Sequence, residues 1–451
     1  MEQQNNNSIT ENTSPTQSES PILLQGPSGT RDFYPSDMRK RNWLFSQWRE
    51  ISKKYGFQEY DAPILEHSNL YTRKGGDDIL REMYSFKDRE GISVCLRPEM
   101  TPSVARMIMA IYKKEVSPLK WFSIPQCWRF ENTSRGRKRE HFQWNVDIFG
   151  ADQVKSEVEI LSMIVKFFEQ NGLTHNDVVL RISNRMILQK FLTKLGVTDK
   201  FERTFNIIDK IKKISHEELS EMLGSEIGLN QESIDSVVKL TKITDITQLT
   251  DFLDANDETV DEMTKIFSLA ESSGFGKWLQ FDVSIVRGLS YYTGMVFEGF
   301  FKNSTLQRSV CGGGRYDNLL QKYGYAEKVP AVGFGFGDIV LLDVLSELGK
   351  LPSFDSGIDY CVIAYSEDLY PTAAKIADRL RDKNKYVALY MKCDRKLKIA
   401  FSYADRINAN LVILVAPDEY KQNKMVVKNL RVTTEKEIAV DIDEYIEQQS
   451  N

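Results

Sequence analysis

The sequence predicts an α+β protein with an antiparallel sheet packed on helices, a helical insertion and a separate C-terminal α/β domain. Three observations lead to this fold class. Residues 121–150 alternate polar and apolar side chains in two runs that meet at a basic loop, which is typical of an antiparallel hairpin with one apolar face. Residues 196–262 carry Lys, Asp, Glu, Ile and Leu at helical spacing. Beyond residue 357, strand and helix patterns alternate in the βαβ manner.

The composition predicts a soluble globular protein. The 451 residues are 41% hydrophobic and 27% charged, enough for two or three domains. No apolar run approaches the ~20 residues that a membrane helix requires, so we expect no membrane partner. The net charge of -5 excludes a generally basic nucleic-acid binder, and any nucleic acid must be held by local patches.

The cysteines and histidines indicate no metal centre. The five cysteines are scattered singly without a CxxC pair, which predicts reduced, mostly buried thiols. The four histidines show no ligand spacing. We therefore expect neither a structural zinc site nor a histidine-based catalytic triad.

Residues 1–24 are rich in Asn, Gln, Ser and Thr, and we interpret them as a disordered polar tail. This segment contains Glu2, Glu11 and Glu19, and no Lys or Arg precedes Arg31. Organellar transit peptides are Arg-rich and poor in acidic residues. The sequence therefore favours the cytoplasm, with a mitochondrial pool as the alternative.

The segment before the hairpin reads as helix, strand, strand, helix. The apolar stripe of Asp37–Tyr55 predicts a helix that ends at Gly56. FQEYDAPILE reads as a strand interrupted by Pro63, and residues 92–97 as a second strand. We expect Thr101 to cap the following helix, which is worth about 1 kcal/mol.

Glu99 follows the second of these strands at a strand-to-helix corner. A carboxylate there could receive an ammonium group. On the residues alone, exposure to solvent is the better supported interpretation.

The hairpin separates a polar face from an apolar one. In the first run, one parity comprises Ser123, Pro125, Cys127, Arg129 and Glu131, and the other comprises Phe122, Ile124, Gln126, Trp128 and Phe130. In the second run, Phe142, Trp144, Val146 and Ile148 oppose Gln143, Asn145 and Asp147. If helices cover the apolar face, cationic and acceptor side chains share one surface, which suits a zwitterion joined to a phosphate. An ordinary hairpin with its polar face in water is the alternative.

The loop between the two runs concentrates Arg135, Arg137, Lys138 and Arg139. A phosphate would be attracted to such a cluster. A solvated turn, or a run that resembles a nuclear localisation signal, is the alternative, and on composition alone it is the better supported one. The position between two strands favours a ligand or nucleic acid.

Later segments supply further candidate groups. Gln153–Asn171 predicts a helix and Val178–Ser183 a strand. Residues 281–300 predict further strands, with Arg287 directly before Gly288 and followed by Tyr291 and Tyr292. An arginine between apolar strand residues needs an anionic partner, either a ligand or a buried structural carboxylate.

Two glycine-rich segments follow. In CGGGRYDNLL, three glycines precede Arg315, Tyr316 and Asp317, which we expect to begin a helix. AVGFGFGDIVLLDVL predicts a strand, glycines and a helix. Its spacing is not GxGxxG, so we interpret the glycines as close backbone packing around a flat ligand rather than a dinucleotide fingerprint.

Residues 352–357 read as a linker to the C-terminal domain of about ninety residues. The patterns there predict three short strands, at YCVIAY, YVALY and LVILVA, and helices at Tyr370–Lys383 and Leu397–Ile407. A strand at Met425–Val427 and a last helix near Asp441–Gln448 complete it.

Several of these motifs, in this order, resemble the histidyl-tRNA synthetase family within the class II aminoacyl-tRNA synthetases. GTRDFYP is similar to the N-terminal signature of the family, the segment to Pro63 to motif 1, and CWRFE through DIFG to motif 2. VRGLSYYTGMVFE and GGGRYD are similar to the two stretches specific to this family, and the C-terminal segment to an anticodon-binding domain. In the residues that make up these motifs, the chain resembles the bacterial and plant-organelle branch of the family.

The resemblance implies a class II catalytic domain over residues 25–350 with a helical insertion at about 196–262, and an anticodon-binding α/β domain over 356–446. It implies an ATP-dependent histidine–tRNA ligase that works as a homodimer with Mg²⁺ and tRNA-His. The implied catalytic residues are Arg129 and Arg287. The implied histidine-binding residues are Glu99, Thr101, Gln143, Asp147, Tyr291, Tyr292 and Tyr316. ATP would contact Arg129, Glu131 and Arg137, and the tRNA acceptor end would contact Arg135, Lys138 and Arg139.

The chain departs from the family pattern at three positions. Val340 stands where motif 3 has an arginine that stacks on adenine, Ser290 where most members have Asp, and Asp147 where many bacterial members have Glu. Val340 keeps a second hypothesis open, a catalytically inactive relative that senses histidine or tRNA. A class II synthetase for another amino acid is a third, which the RGLSYYTG and GGGRYD stretches oppose.

Overall fold

The computed structural model describes residues 23–72, 77–211, 214–254, 256–286, 291–306, 308–354, 357–393, 396–432 and 437–449. The chain divides into two compact units, Met1–Leu351 and Pro352–Asn451. Within the described ranges, no helix is both long and apolar enough to cross a membrane.

The first unit is built around a large, mostly antiparallel sheet. Its strands are Gln58–Glu59 (β1), Leu65–His67 (β2), Ser85–Lys87 (β3), Ser93–Leu96 (β4), Leu119–Ser123 (β5), Gln126–Trp128 (β6), Glu140–Phe149 (β7), Val178–Asn184 (β8), Leu279–Phe281 (β9), Met295–Phe301 (β10), Ser309–Arg315 (β11) and Ala331–Gly337 (β12). The described residues place nine of them in one sheet in the order β1-β5-β7-β12-β11-β10-β8-β9, with β6 paired to β7. Strands β2, β4 and β3 form a smaller sheet.

Helices cover the apolar face of the large sheet. The helices of this unit are Pro35–Lys54 (α1), Asn69–Thr72 (α2), Asp77–Glu82 (α3), Thr101–Ile111 (α4), Lys155–Gln170 (α5), Arg185–Lys194 (α6), Phe201–Ile208 (α7), His216–Met222 (α8), Gln231–Leu240 (α9), Glu258–Ser272 (α10), Leu319–Lys322 (α11) and Asp338–Glu347 (α12). Trp48 of α1 stacks on Trp144 of β7 at 6.0 Å between ring centroids, and Phe167 of α5 meets Phe336 of β12 at 5.2 Å. The α+β prediction is confirmed.

The predicted hairpin forms, with one interruption. Strands β5 and β7 are antiparallel, with Trp121 opposite Asp147 and Ser123 opposite Asn145. The alternation holds as far as Ile124, but Pro125 separates β5 from β6 because proline cannot donate to the ladder. Beyond that break the predicted apolar face is wrong, since Cys127 is buried and Phe130 is exposed.

Three local predictions are also wrong. The residue before α4 is Met100, and Thr101 is its first residue, without a side-chain capping bond. Residues 282–286 and 291–294 lie outside strands, so the strands predicted for 281–300 are limited to Phe281 at the end of β9 and to β10. The glycines of CGGGR lie within β11, and the next helix starts at Leu319 rather than at Arg315. Backbone pairing with two neighbouring strands holds these glycines extended.

The second unit is a five-stranded sheet with helices. Its strands are Tyr360–Ala364 (β13), Val387–Leu389 (β14), Leu411–Val415 (β15), Lys424–Asn429 (β16) and Ile438–Asp441 (β17), and its helices Tyr370–Asp382 (α13), Leu397–Arg406 (α14), Pro417–Tyr420 (α15) and Ile442–Gln448 (α16). The described strands are ordered β14-β13-β15-β16-β17. The first three are parallel, and β16 and β17 pair antiparallel.

Candidate active site

The polar face of β7 forms the floor of the candidate site. Gln143, Asn145 and Asp147 alternate with the core residues Trp144 and Val146, as the parity of the sequence predicts.

Two glycines of the neighbouring strand β12 leave room for this face. A Cβ at Gly335 would collide with the Gln143 amide, and one at Gly333 would lie 2.5 Å from the Tyr316 hydroxyl and 2.6 Å from Asp147 Oδ1. The glycines of AVGFGFG therefore accommodate the protein's own polar side chains.

Asp147 is the centre of a buried hydrogen-bond network. Its carboxylate accepts hydrogen bonds from the Tyr316 hydroxyl and, at 3.2 Å, from Asn145 Nδ2. Burial raises the pKa of Asp147 to about 6, although the neighbouring hydroxyls of Tyr316 and Tyr60 and the Asn145 amide act to lower it. Asp147 is therefore mostly ionised at neutral pH and can accept a hydrogen bond from a ligand N–H.

Three tyrosines join Asp147 to Glu99. The rings of Tyr291, Tyr292 and Tyr316 pack with centroids 4.9–6.3 Å apart. The Tyr291 hydroxyl donates to Glu99 Oε2 at 3.2 Å. Glu99 is only 6% exposed, so the expectation that it faces solvent is wrong, because the tyrosines and α4 enclose the corner that carries it. A carboxylate therefore lies at each end of a cluster of aromatic side chains, which we interpret as the lining of a candidate binding pocket.

Arginines gather beyond the end of β6. Arg129 Nε donates to the Pro98 carbonyl at 3.0 Å, and Arg129 Nη1 lies 3.9 Å from Glu131 Oε1. Arg137 bonds Glu131 directly, and its Nη2 lies 3.7 Å from Glu82. Burial lowers the pKa of Arg137, with Arg308 and Arg129 adding to the effect and Glu82 opposing it. Cations close enough to repel one another form a site suited to an anion.

Two of the three other loop cations, Arg135 and Arg139, have partners within the protein. Arg135 donates to Thr305 Oγ1 and to Glu347 Oε2, both at 2.8 Å. Arg139 donates to the carbonyls of Ser28 and Glu131 and lies over the Phe130 ring, 4.1 Å from its centroid. Lys138 is half-buried. Arg287 and Ser290 lie outside the described residues.

Sequence reasoning missed a buried ion network at Arg31. Its Nε and Nη2 bond Glu140 at 2.6 and 3.1 Å, and its Nη1 bonds Asp338 at 2.8 Å. Asp338 also accepts from the Phe142 amide at 2.9 Å. The network ties the N-terminal segment to β7 and to the start of α12. No local signal could reveal it, because Arg31 and Asp338 are 307 positions apart.

Two further groups complete the surroundings. Arg315, fully buried beside Tyr316, bonds Glu157, Asp317 at 2.9 Å and Ser156 at 2.7 Å. This network holds the strand end that positions Tyr316. Val340 is buried in the core cluster with Leu341 and Val344, so position 340 contributes no group to the polar face of the sheet.

Comparisons with known proteins agree with this site. The family model for histidyl-tRNA synthetase matches residues 29–337, and that for an anticodon-binding domain matches residues 359–449. The chain is 45% identical over 410 residues to the chloroplastic/mitochondrial histidine–tRNA ligase of Arabidopsis thaliana, covering 91% of this chain and 84% of the relative. It is 34% identical over 426 residues to the histidine–tRNA ligase of Pyrococcus abyssi, covering 93% and 97%.

Solved structures show the same fold. The histidyl-tRNA synthetase of Nostoc sp. PCC 7120 superimposes with a TM-score of 0.77 at 24% identity, over 95% of this chain and all of that one. The apo histidyl-tRNA synthetase of S. aureus superimposes with a TM-score of 0.74 at the same identity. With a family model matched over most of the chain and a relative at 45% identity, the chain belongs to the histidyl-tRNA synthetase family.

Proposed function

We propose that this chain activates L-histidine with ATP to histidyl-adenylate and transfers the histidyl group to the 3′ end of tRNA-His. The observation that carries the proposal is the buried cluster with Asp147 at one end, Glu99 at the other and tyrosines between them, which we propose lines the histidine pocket. Histidine needs an acceptor for an imidazole N–H and an acceptor for its ammonium group. The pocket supplies one of each beside a group of arginines.

Within this pocket, Asp147, Tyr292 and Tyr316 are proposed to bind the imidazole. Glu99 would receive the ammonium group, with Tyr291 orienting its carboxylate through the 3.2 Å hydrogen bond. Thr101 and Gln143 are proposed to contact the ammonium and carboxylate groups of the amino acid. Thr101 is buried at the start of α4 and Gln143 lies on the polar face of β7.

ATP is proposed to bind where the arginines gather. Arg129 would hold the α-phosphate, and Glu131 and Arg137 would line the same site. Arg287 would stabilise the charge that grows on the α-phosphate as the histidine carboxylate attacks, a contribution of ~10²–10³ in rate. Positioning and charge stabilisation suffice for both steps, so no nucleophilic side chain is required.

Mg²⁺ is proposed to arrive on the ATP phosphates. Among the described residues, no group of three or more His, Cys, Asp or Glu side chains could hold a metal ion, and Mg²⁺ is commonly held by one or two carboxylates together with substrate phosphates. Glu131, 3.9 Å from Arg129, is the carboxylate we propose for this role. When bound, the ion would neutralise phosphate charge.

Contacts with tRNA would involve both units of the chain. We propose that Arg135, Lys138 and Arg139 meet the acceptor end and that the domain over 356–446 binds the anticodon. Arg135 would exchange its Glu347 partner for a phosphate. The catalytic domain is proposed to span 25–350, with 196–262 as its helical insertion.

A homodimer is proposed on the basis of exposed apolar side chains. Ile64, Leu65, Phe86 and Ile92 are exposed on or beside the small β2-β4-β3 sheet, and such clusters mark interaction surfaces. Light scattering tests the proposal: the chain should have twice the monomer mass, and Phe86→Glu should shift it toward the monomer. A monomeric wild-type chain at micromolar concentration would exclude the dimer.

The cytoplasm is the proposed compartment. The glutamates and the lack of basic residues before Arg31 favour it, whereas the Arabidopsis relative is named chloroplastic/mitochondrial. A C-terminal fluorescent fusion imaged with an organelle marker separates the two.

The deciding experiment is histidine-dependent exchange of labelled pyrophosphate into ATP, with proline, threonine and glycine as controls. Exchange with histidine alone supports the proposal and shows that Val340 is tolerated. A folded chain that binds histidine without exchange would be the inactive sensor, for which no described contact gives support.

A further inference from the structure

A second tyrosine hydroxyl faces Asp147. Tyr60 follows β1, and its backbone N–H donates to the Phe122 carbonyl of β5 at 2.9 Å. Its ring packs on Trp121 with centroids 5.3 Å apart. Trp121 pairs directly with Asp147, and directly paired residues in an antiparallel ladder share a face. The Tyr60 side chain is therefore placed beside the Asp147 carboxylate.

The segment that carries Tyr60 is held firmly. Arg97 is 2% exposed and donates to the Ala62 carbonyl at 2.6 Å and to Asp61 Oδ1 at 3.2 Å. These contacts, together with the bond to Phe122, fix Tyr60 through its own N–H and through the two residues that follow it. Its position next to the pocket is a feature of the fold and not of a loose side chain.

The Tyr60 hydroxyl, although near enough to Asp147 to lower the pKa of that carboxyl, is buried and makes no hydrogen bond of ordinary geometry among the described residues. The hydroxyl of Ser123, which is 1% exposed and pairs with Asn145, likewise makes no such bond. An unpaired buried hydroxyl is destabilising. Two such groups beside the Asn145 and Asp147 pair indicate hydrogen-bonding capacity that the site can use when a ligand binds.

We propose that Tyr60 is a positioning residue for histidine recognition, whose hydroxyl donates to the Asp147 carboxylate when the imidazole is bound. This inference rests on the proposed function. A carboxylate has about four acceptor positions. Tyr316 and Asn145 occupy two, the imidazole N–H takes a third, and Tyr60 supplies the fourth. With a donor at each acceptor position, the Asp147 carboxylate stays ionised and correctly oriented.

Few groups besides burial affect the pKa values of Asp147 and Tyr60. The pKa of Asp147 responds to Tyr316, Asn145 and Tyr60, and that of Tyr60 to Asp147, Arg97, Asp61 and Cys127. Because a donor favours the ionised form, loss of the Tyr60 hydroxyl raises the pKa of Asp147. As the pH falls, Asp147 is then protonated sooner, and histidine binding is lost at a higher pH than in the wild type. The titration of free histidine is the same for every variant and cancels in the comparison.

Tyr60→Phe tests the proposal, with Tyr325→Phe as the matched control. Tyr325 is another partly buried tyrosine whose buried hydroxyl has no partner among the described residues, and its ring packs on Tyr112. Pyrophosphate exchange is measured from about pH 5.5 to 8.5. We expect Tyr60→Phe to raise the KM for histidine roughly 10- to 150-fold, as for loss of a hydrogen bond to a charged group, with little change in kcat or in the KM for ATP. The acid limb of the pH–activity profile of Tyr60→Phe should move to higher pH, while the profile of Tyr325→Phe should match that of the wild type.

A ring-fluorinated tyrosine at position 60 gives a second test that preserves shape. Its more acidic hydroxyl is a stronger donor, so the acid limb should move to lower pH. Unchanged KM for histidine and unchanged acid limbs in both Tyr60 variants, with an active wild type, would overturn the inference alone. A wild type without histidine-dependent exchange would instead refute the proposed function and the inference with it.

Discussion

Replacing Arg31 by methionine should destabilise the first unit strongly and in a pH-dependent way. The guanidinium is 20% exposed, while its partners Glu140 and Asp338 are 1% and 0% exposed. Removing one member of a buried ion pair leaves uncompensated buried charge and costs roughly 3–5 kcal/mol. Here two carboxylates lose their common cation, so we expect the upper part of that range at pH 8.

The pH dependence follows from Asp338. Burial raises its pKa from 3.8 to about 6, although Arg31 acts to lower it. A carboxyl whose pKa is higher in the folded state stabilises the fold below its unfolded pKa, and this contribution is lost as the pH rises through the folded pKa. Without Arg31 the pKa of Asp338 rises further. The free energy of unfolding that the variant loses relative to the wild type should therefore be larger at pH 8 than at about pH 5.5.

Urea unfolding followed by tryptophan fluorescence measures this effect. All six tryptophans precede residue 352, so the signal reports the first unit. Arg49→Met is the control, because the Arg49–Glu59 pair is exposed on both sides and worth about 0–1 kcal/mol. The reasoning is refuted if Arg31→Met costs no more than Arg49→Met, or if its deficit is the same at both pH values.

Three further predictions concern activity. Asp147→Asn keeps the shape but loses the charge, so the KM for histidine should rise by roughly 10- to 150-fold; a wild-type KM in pyrophosphate exchange would contradict the role. Arg287→Ala should lose adenylate formation by ~10²–10³ while still binding histidine by calorimetry, and unchanged activation kinetics would remove Arg287 from the mechanism. Arg135→Ala should raise the KM for tRNA a few-fold in aminoacylation and leave pyrophosphate exchange unchanged, because its guanidinium contacts Thr305 and Glu347 and no residue of the histidine pocket; slower exchange would place it in the activation step.

The local pattern predicted much of the floor of the site. Side-chain parity placed Gln143, Asn145 and Asp147 on one face of β7, because alternate residues of a strand always point to opposite sides. The same pattern predicted a strand that continues past Pro125, but the missing N–H of proline ends the hydrogen-bonded ladder there. It also misplaced the glycines of CGGGR, since whether a glycine lies in a turn or an extended strand depends on the strands that pair with it.

By itself, the sequence determined the fold class, the antiparallel hairpin with its two faces except in the stretch after Pro125, the helical and βαβ regions and the motifs that resemble the family. Each of these is a local property, carried by side-chain period and by short stretches of chain. Only the tertiary structure decided that Glu99 is buried against Tyr291, that Arg31 joins Glu140 and Asp338, and that Tyr60 faces Asp147. These partners lie 87 to 307 positions apart, and their contacts exist because packed elements bring distant residues together, which no local periodicity encodes.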